Sequence, residues 1–123
     1  AIKLQKDNPD QETWRAQAIL QATLTAAEVP LDVVRKAVTV MELALEVITF
    51  GNINAITDGS SGAALARAAL TSAGWNVQVN CLSLKDDPAC ESLLAELHRL
   101  ESRAAELEAQ IHHQIRVRGH LEL

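Results

Sequence analysis

Three short polar side chains, Asn52, Asn54 and Asp58, fall within seven residues of the stretch Gly51-Asn52-Ile53-Asn54-Ala55-Ile56-Thr57-Asp58. A carboxylate and two amides at a loop running into a helix can present acceptors and donors to a ligand at the positive end of the helix dipole. The same residue types also serve as structure. Thr57 or Asp58 can cap the helix, and the asparagines can satisfy the loop backbone. Asn76 and Asn80 form a second group, four residues apart and therefore on one helical face. A buried asparagine must be hydrogen-bonded. The pair is either a clamp between helices or an amide ladder that reads a polar heterocycle. Asp58 and Asn76 are eighteen residues apart, so they point the same way but lie ~27 Å apart along an unbroken helix. One small-molecule pocket holds both only if the helix kinks near Gly74, or if an antiparallel second copy brings its own Asn76 to Asp58.

The remaining reactive residues form no site by spacing. His98, His112, His113 and His120 include no pair with metal-ligand spacing and no HExxH, so no metal is expected. Gly59-Ser60-Ser61-Gly62 lacks the lysine of a phosphate-binding loop, so no nucleotide is expected. Cys81 and Cys90 are too few for a thiolate cluster and read as reduced cysteines of a cytoplasmic protein.

Composition bounds the partners. The chain has 123 residues, 48% hydrophobic and 22% charged, with a net charge of −5. That is one compact domain, residues 1–123, rather than a disordered chain. One Phe, two Trp and no Tyr leave few stacking platforms, and no Lys/Arg block would grip phosphates. Nucleic acid is not an expected partner. Between Gly59 and Leu84 the only charged residue is Arg67. Arg67 and the asparagines that follow rule that segment out as a membrane span. The segment reads instead as a buried central helix, thinned by Ala63, Ala64, Ala66, Ala68, Ala69 and Ala73.

These residues must be held by helices. Asn8-Pro9 marks the first start, and Trp14, Ala18 and Ala22 share a face with Ile19, Leu20 and Leu24 beside it. Glu28-Val29-Pro30 predicts a break, because the residue before proline is pushed out of the α region. Leu31, Val34, Val38, Met41, Leu45 and Ile48 then recur at helical spacing up to a stop at Gly51. Asn76-Val77-Gln78-Val79-Asn80-Cys81 alternates like a strand, but a lone strand has no partner, so the segment is expected to stay helical. Asp87-Pro88 starts a long last helix with a seven-residue repeat through Leu93, Leu97, Leu100, Ala104, Leu107 and Ile111. Past Ile115 the pattern loosens into an expected frayed end. The reading is an all-α bundle of about four helices, with a long C-terminal helix.

Taken together, Gly51–Asp58, Ala63-Ala64-Leu65-Ala66-Arg67-Ala68-Ala69, Asn76-Val77-Gln78-Val79-Asn80, Leu84-Lys85-Asp86 and Ala27-Glu28-Val29-Pro30-Leu31 resemble the cyclodeaminase/cyclohydrolase family. These are the cyclodeaminase domains of formiminotransferase-cyclodeaminases and the stand-alone methenyltetrahydrofolate cyclohydrolases. The family's Asn-Pro-Asn is Asn52-Ile53-Asn54 here, and its Asp-Ala-Gly is Asp58-Gly59-Ser60. The resemblance implies a tetrahydrofolate derivative as substrate; Asp58 is then expected to orient the reactants or transfer a proton as the catalytic residue, and Asn52, Asn54, Asn76 and Asn80 to hold the pterin or shape the pocket. Family domains open with a Ser-Gly-Gly-rich helical segment that is absent here, so the domain is expected to be incomplete relative to the family. Bare apolar helix faces would then drive self-association into a homo-oligomer, a dimer or larger, with the last helix as the expected seam.

Overall fold

The computed structural model describes residues 9–123. It has three long helices rather than four: α1 (Pro9–Phe50), α2 (Ile56–Cys81) and α3 (Pro88–Gly119). One-turn 3₁₀ segments, Ile53–Ala55 and Leu82–Leu84, precede and follow α2. The strand-like alternation of residues 76–81 lies inside α2. Asp87 caps α3 as expected, accepting from the Ala89 N–H at 2.9 Å with Pro88 in the first turn. The expected cap at Asn8 lies outside the described residues.

The missing fourth helix is explained at Pro30. Proline cannot donate to the carbonyl four residues earlier, which leaves the Ala26 oxygen without its helical partner. Asn80 of α2 supplies the donor instead, its Nδ2 lying 3.3 Å from that oxygen. The helix therefore runs through Pro30, and α1 reaches 42 residues, about 63 Å.

The chain runs up, down and up. α3 is parallel to α1, as three arginine contacts show: Arg35 pairs with Glu96, Arg103 with Glu42, and Arg118 reaches the end of α1. The Arg35 guanidinium holds the Glu96 carboxyl below the usual carboxylate range. The predicted stripe of α1 is buried at Leu31, Val34, Val38, Met41 and Ile48. It meets Leu70 and Val77 of α2 and Leu97, Leu107 and Ile111 of α3. The seven-residue repeat of α3 thus serves the chain's own core and is not left as a seam for self-association. Gly74 is a close-approach point and not a kink. A Cβ there would stand 3.4 Å from Leu97 Cδ1 and 3.3 Å from a Glu101 carboxylate oxygen.

α2 is less enclosed than its lack of charge suggested. One side packs against α1 and α3. The opposite side is open, with Leu65 73% and Trp75 66% exposed, and Val79 beside them. The neighbouring edge of α1 is open too, at Val29, Val33, Val40 and Val47. Trp14 and Ile19, expected on a packed stripe, are also exposed. No described helix is long and apolar enough to cross a membrane.

Replacing Leu70, fully buried between the helices, with alanine is expected to cost about 2–5 kcal/mol in urea unfolding followed by circular dichroism. Val117→Ala, on the exposed side of α3, is expected to stay within about 0.5 kcal/mol of the parent.

Candidate functional site

The connection from α1 to α2 is tightly bonded. The Gly51 N–H donates to Val47 O at 2.8 Å, and the Ala55 N–H to Asn52 O at 2.9 Å. Asn52 Oδ1 accepts from the Asn54 N–H at 2.9 Å, which caps the 3₁₀ turn. That turn feeds straight into α2, whose cap position is Ala55 with no side-chain bond. The expected cap at Thr57 or Asp58 is therefore displaced: both residues lie inside the first turn of the helix. Asp58 is exposed there, at the positive end of the α2 dipole. Neither Asp58 nor the Asn54 side chain has a bonding partner among the described residues.

Arg118 is the residue the sequence reading missed, because it falls in the stretch expected to fray. Its guanidinium donates to the Ile48 and Gly51 carbonyls, the latter at 3.1 Å, and so fastens the end of α3 to the start of the Asn52–Asn54 loop. The available signal was the last turn of α1, which has no basic residue of its own to meet its free carbonyls.

The second group sits at the other end of α2. Asn76 Nδ2 donates to Ser72 O at 3.0 Å. Asn80 Nδ2 donates to Asn76 O at 2.8 Å as well as to Ala26 O. Neither side chain is fully buried, contrary to expectation. They line a shallow groove of about 430 Å³ between α1 and α2, with Val29, Pro30, Val33 and Ala69. α2 runs unbroken from Asp58 to Asn76, so within one chain the two groups share a face and remain ~27 Å apart. A larger cavity of about 570 Å³, between the ends of α1 and α3, is lined by Leu45, Glu46, Phe50, His113 and Gln114 and contains none of the five candidates. Among the described residues no group of His, Cys, Asp or Glu could hold a metal ion.

The helical face, the asparagine pairs and the loop order can be set against known sequences. The family profile described as formiminotransferase-cyclodeaminase matches residues 1–99. The chain belongs to this family. A curated relative, methenyltetrahydrofolate cyclohydrolase of Methylorubrum extorquens, is 35% identical over 116 residues, covering 94% of this chain and 56% of the relative. The chain thus spans a little over half the length of that family member. No solved structure matches it. All five candidate residues lie inside the stretch shared with the family.

The Asn80–Ala26 bond makes a measurable demand. Asn80→Ala is expected to lower stability by about 0.5–1.5 kcal/mol. In a Pro30→Ala background, where residue 30 regains an N–H for Ala26 O, most of that loss should vanish. A double-mutant cycle in urea reads the coupling; a loss unchanged by Pro30→Ala would show that Asn80 acts elsewhere.

Proposed function

We propose that this chain acts in the interconversion of tetrahydrofolate one-carbon derivatives in the cytoplasm, as a methenyltetrahydrofolate cyclohydrolase. The observation that carries this reading is the 35% identity, over nearly the whole chain, to a protein of that name. Cyclodeamination of the 5-formimino derivative is the sister reaction within the same family.

The chemistry asks little of the protein. Water adds to the methenyl carbon, the bond from that carbon to N5 opens, and the 10-formyl product and a proton leave. Such a step needs an oriented water, a group that accepts its proton, and an electron-poor carbon held in place. Asp58 is the acceptor in this reading: an exposed carboxylate with no partner among the described residues, on a face otherwise almost free of charge. Asn52, Asn54, Asn76 and Asn80 hold the pterin or shape the pocket in this reading, and because the two pairs lie ~27 Å apart along α2 both serve one molecule only where two copies assemble.

A second reading is a folate-binding or oligomerisation module without turnover. It is favoured by the number of amides already committed to backbone: Asn52, Asn76 and Asn80 all make bonds within the chain.

Loss of the near-ultraviolet absorbance of 5,10-methenyltetrahydrofolate, corrected for the uncatalysed rate, tests the choice. Asp58→Asn is expected to lower kcat by about 100-fold or more, and Asn76→Ala to raise KM more than it lowers kcat. Saturable folate binding with no rate above background would select the module reading.

A further inference from the structure

We propose that Cys81 and Cys90 are a redox pair, placed to join as a disulfide that staples the end of α2 to the start of α3 across the connection between them. The pair stands whether or not the chain acts on folate.

The two cysteines are nine apart in sequence and belong to different helices. Cys81 is the last residue of α2, and Cys90 lies in the first turn of α3. Both are fully buried, and both are free thiols. They pack with Ala27 of α1 in a small cluster of their own, separate from the main core, with Leu24, Leu84, Leu93 and Leu94 around it. Burial in these surroundings, with the Cys90 sulfur beside it, pushes the Cys81 thiol up to about 12.

The surroundings suit a disulfide. Each S–H is a weak donor, and the sulfur facing it is a weak acceptor. A disulfide has no donor and no charge, so burial does not oppose it. The bond is about 2 Å long, so the sulfurs must close further than packed thiols stand. The connection is able to yield. Leu82–Leu84 is a single 3₁₀ turn, followed by a turn that the Asp87 N–H closes on Leu84 O at 3.0 Å. Leu82, Lys85 and Asp86 are exposed.

The same burial keeps the pair inert until the connection opens. Exchange needs a thiolate that an oxidant can reach, and local opening of residues 82–90 supplies it. One cysteine thiolate then attacks a sulfur of a low-molecular-weight disulfide, forming a mixed disulfide and releasing one small thiol. The other cysteine attacks the protein-side sulfur of that mixed disulfide and releases the second small thiol. Two protein thiols are oxidised, one small disulfide is reduced, and the two protons leave on the two small thiols. Reclosure then buries the new bond away from reductant.

Position gives the bond its consequence. Asn80 precedes Cys81, and its amide holds Ala26 O; the next residue, Ala27, packs in the cysteine cluster. A staple here locks the Asn80 end of α2 to its neighbours.

The experiment equilibrates the full chain in mixtures of reduced and oxidised glutathione, quenches with acid, alkylates and digests with trypsin. Lys85 lies between the cysteines, with Arg67 and Arg99 outside them, so the bond joins peptide 68–85 to peptide 86–99. The joined peptides are expected, from a chain that remains free of intermolecular bonds. The ratio of disulfide to dithiol is expected to be more than about tenfold higher in the folded chain than in urea at the same glutathione ratio. The oxidised chain should then unfold at a higher urea concentration, and amides of residues 82–90 should exchange more slowly with deuterium. A smaller rise in the ratio, or none, overturns the proposal, because the native fold then does not favour the bond. Glutathione retained on either cysteine as the main product, or a bond between two chains, also overturns it. A disulfide that leaves exchange at residues 82–90 unchanged overturns the staple.

Discussion

A single orphaned carbonyl organises much of this fold. Pro30 removes the donor that the Ala26 oxygen would otherwise have had, and Asn80, 54 residues further along the chain, replaces it. The bond keeps α1 continuous where a proline would ordinarily end a helix. It also lies at one end of the register between α1 and α2, which their shared core of Val34, Met41, Leu70 and Val77 holds. With that register set, Gly59 comes to rest against Ile48 at the other end, and the α1/α2 groove acquires its lining of Val29, Val33 and Ala69. α3 then has one long trough to fill. It does so with its repeat facing inward and its arginines reaching across to Glu42 and the end of α1.

Charge separates the surfaces of this bundle by role. The edge where α3 meets α1 carries Arg35 with Glu28 and Glu96, and Arg103 with Glu42 and Glu106. Where α3 meets α2, Arg67 faces Glu108 at 3.5 Å. These pairs sit at half-exposed margins, where they fix register more than they add stability. The opposite face has no such margin. Its valines and Leu65 are exposed with little charge among them, and the hollow they leave is the shallow groove between α1 and α2.

Local signals in the sequence were reliable where the cause was local. Asp87-Pro88 starts α3, Gly51 ends α1, and the buried stripe from Leu31 to Ile48 is where its spacing places it. The family resemblance was legible too, and the family profile matches residues 1–99. The failures have non-local causes. The break at Pro30 does not occur because its remedy comes from another helix. The end of α3 does not fray because Arg118 finds carbonyls on α1. The burial of α2 was overstated because a scarcity of charge marks both a packed helix and one whose face is open, and periodicity cannot tell them apart. The α2 cap was misplaced because a 3₁₀ turn running into the helix leaves no vacancy for a side chain to fill.

The hydrogen bonds already made limit what the candidate residues can offer a ligand. Both Nδ2 hydrogens of Asn80 are engaged, on Ala26 O and Asn76 O, so only its Oδ1 is available. Asn76 has spent one hydrogen on Ser72 O and retains one donor and its acceptor oxygen. Asn52 has committed its oxygen to the turn. The Asn80 end of α2 therefore presents two acceptor oxygens and one donor, while the Asp58 end sets the carboxylate beside the Asn54 amide, unbonded among the described residues, and the Nδ2 hydrogens of Asn52. Each end thus offers donors and acceptors together, a mixed pattern that suits a heterocycle carrying both N–H and carbonyl groups. The amides can orient such a ring but have little chemistry of their own, so in the proposed reading the proton-handling step falls to Asp58.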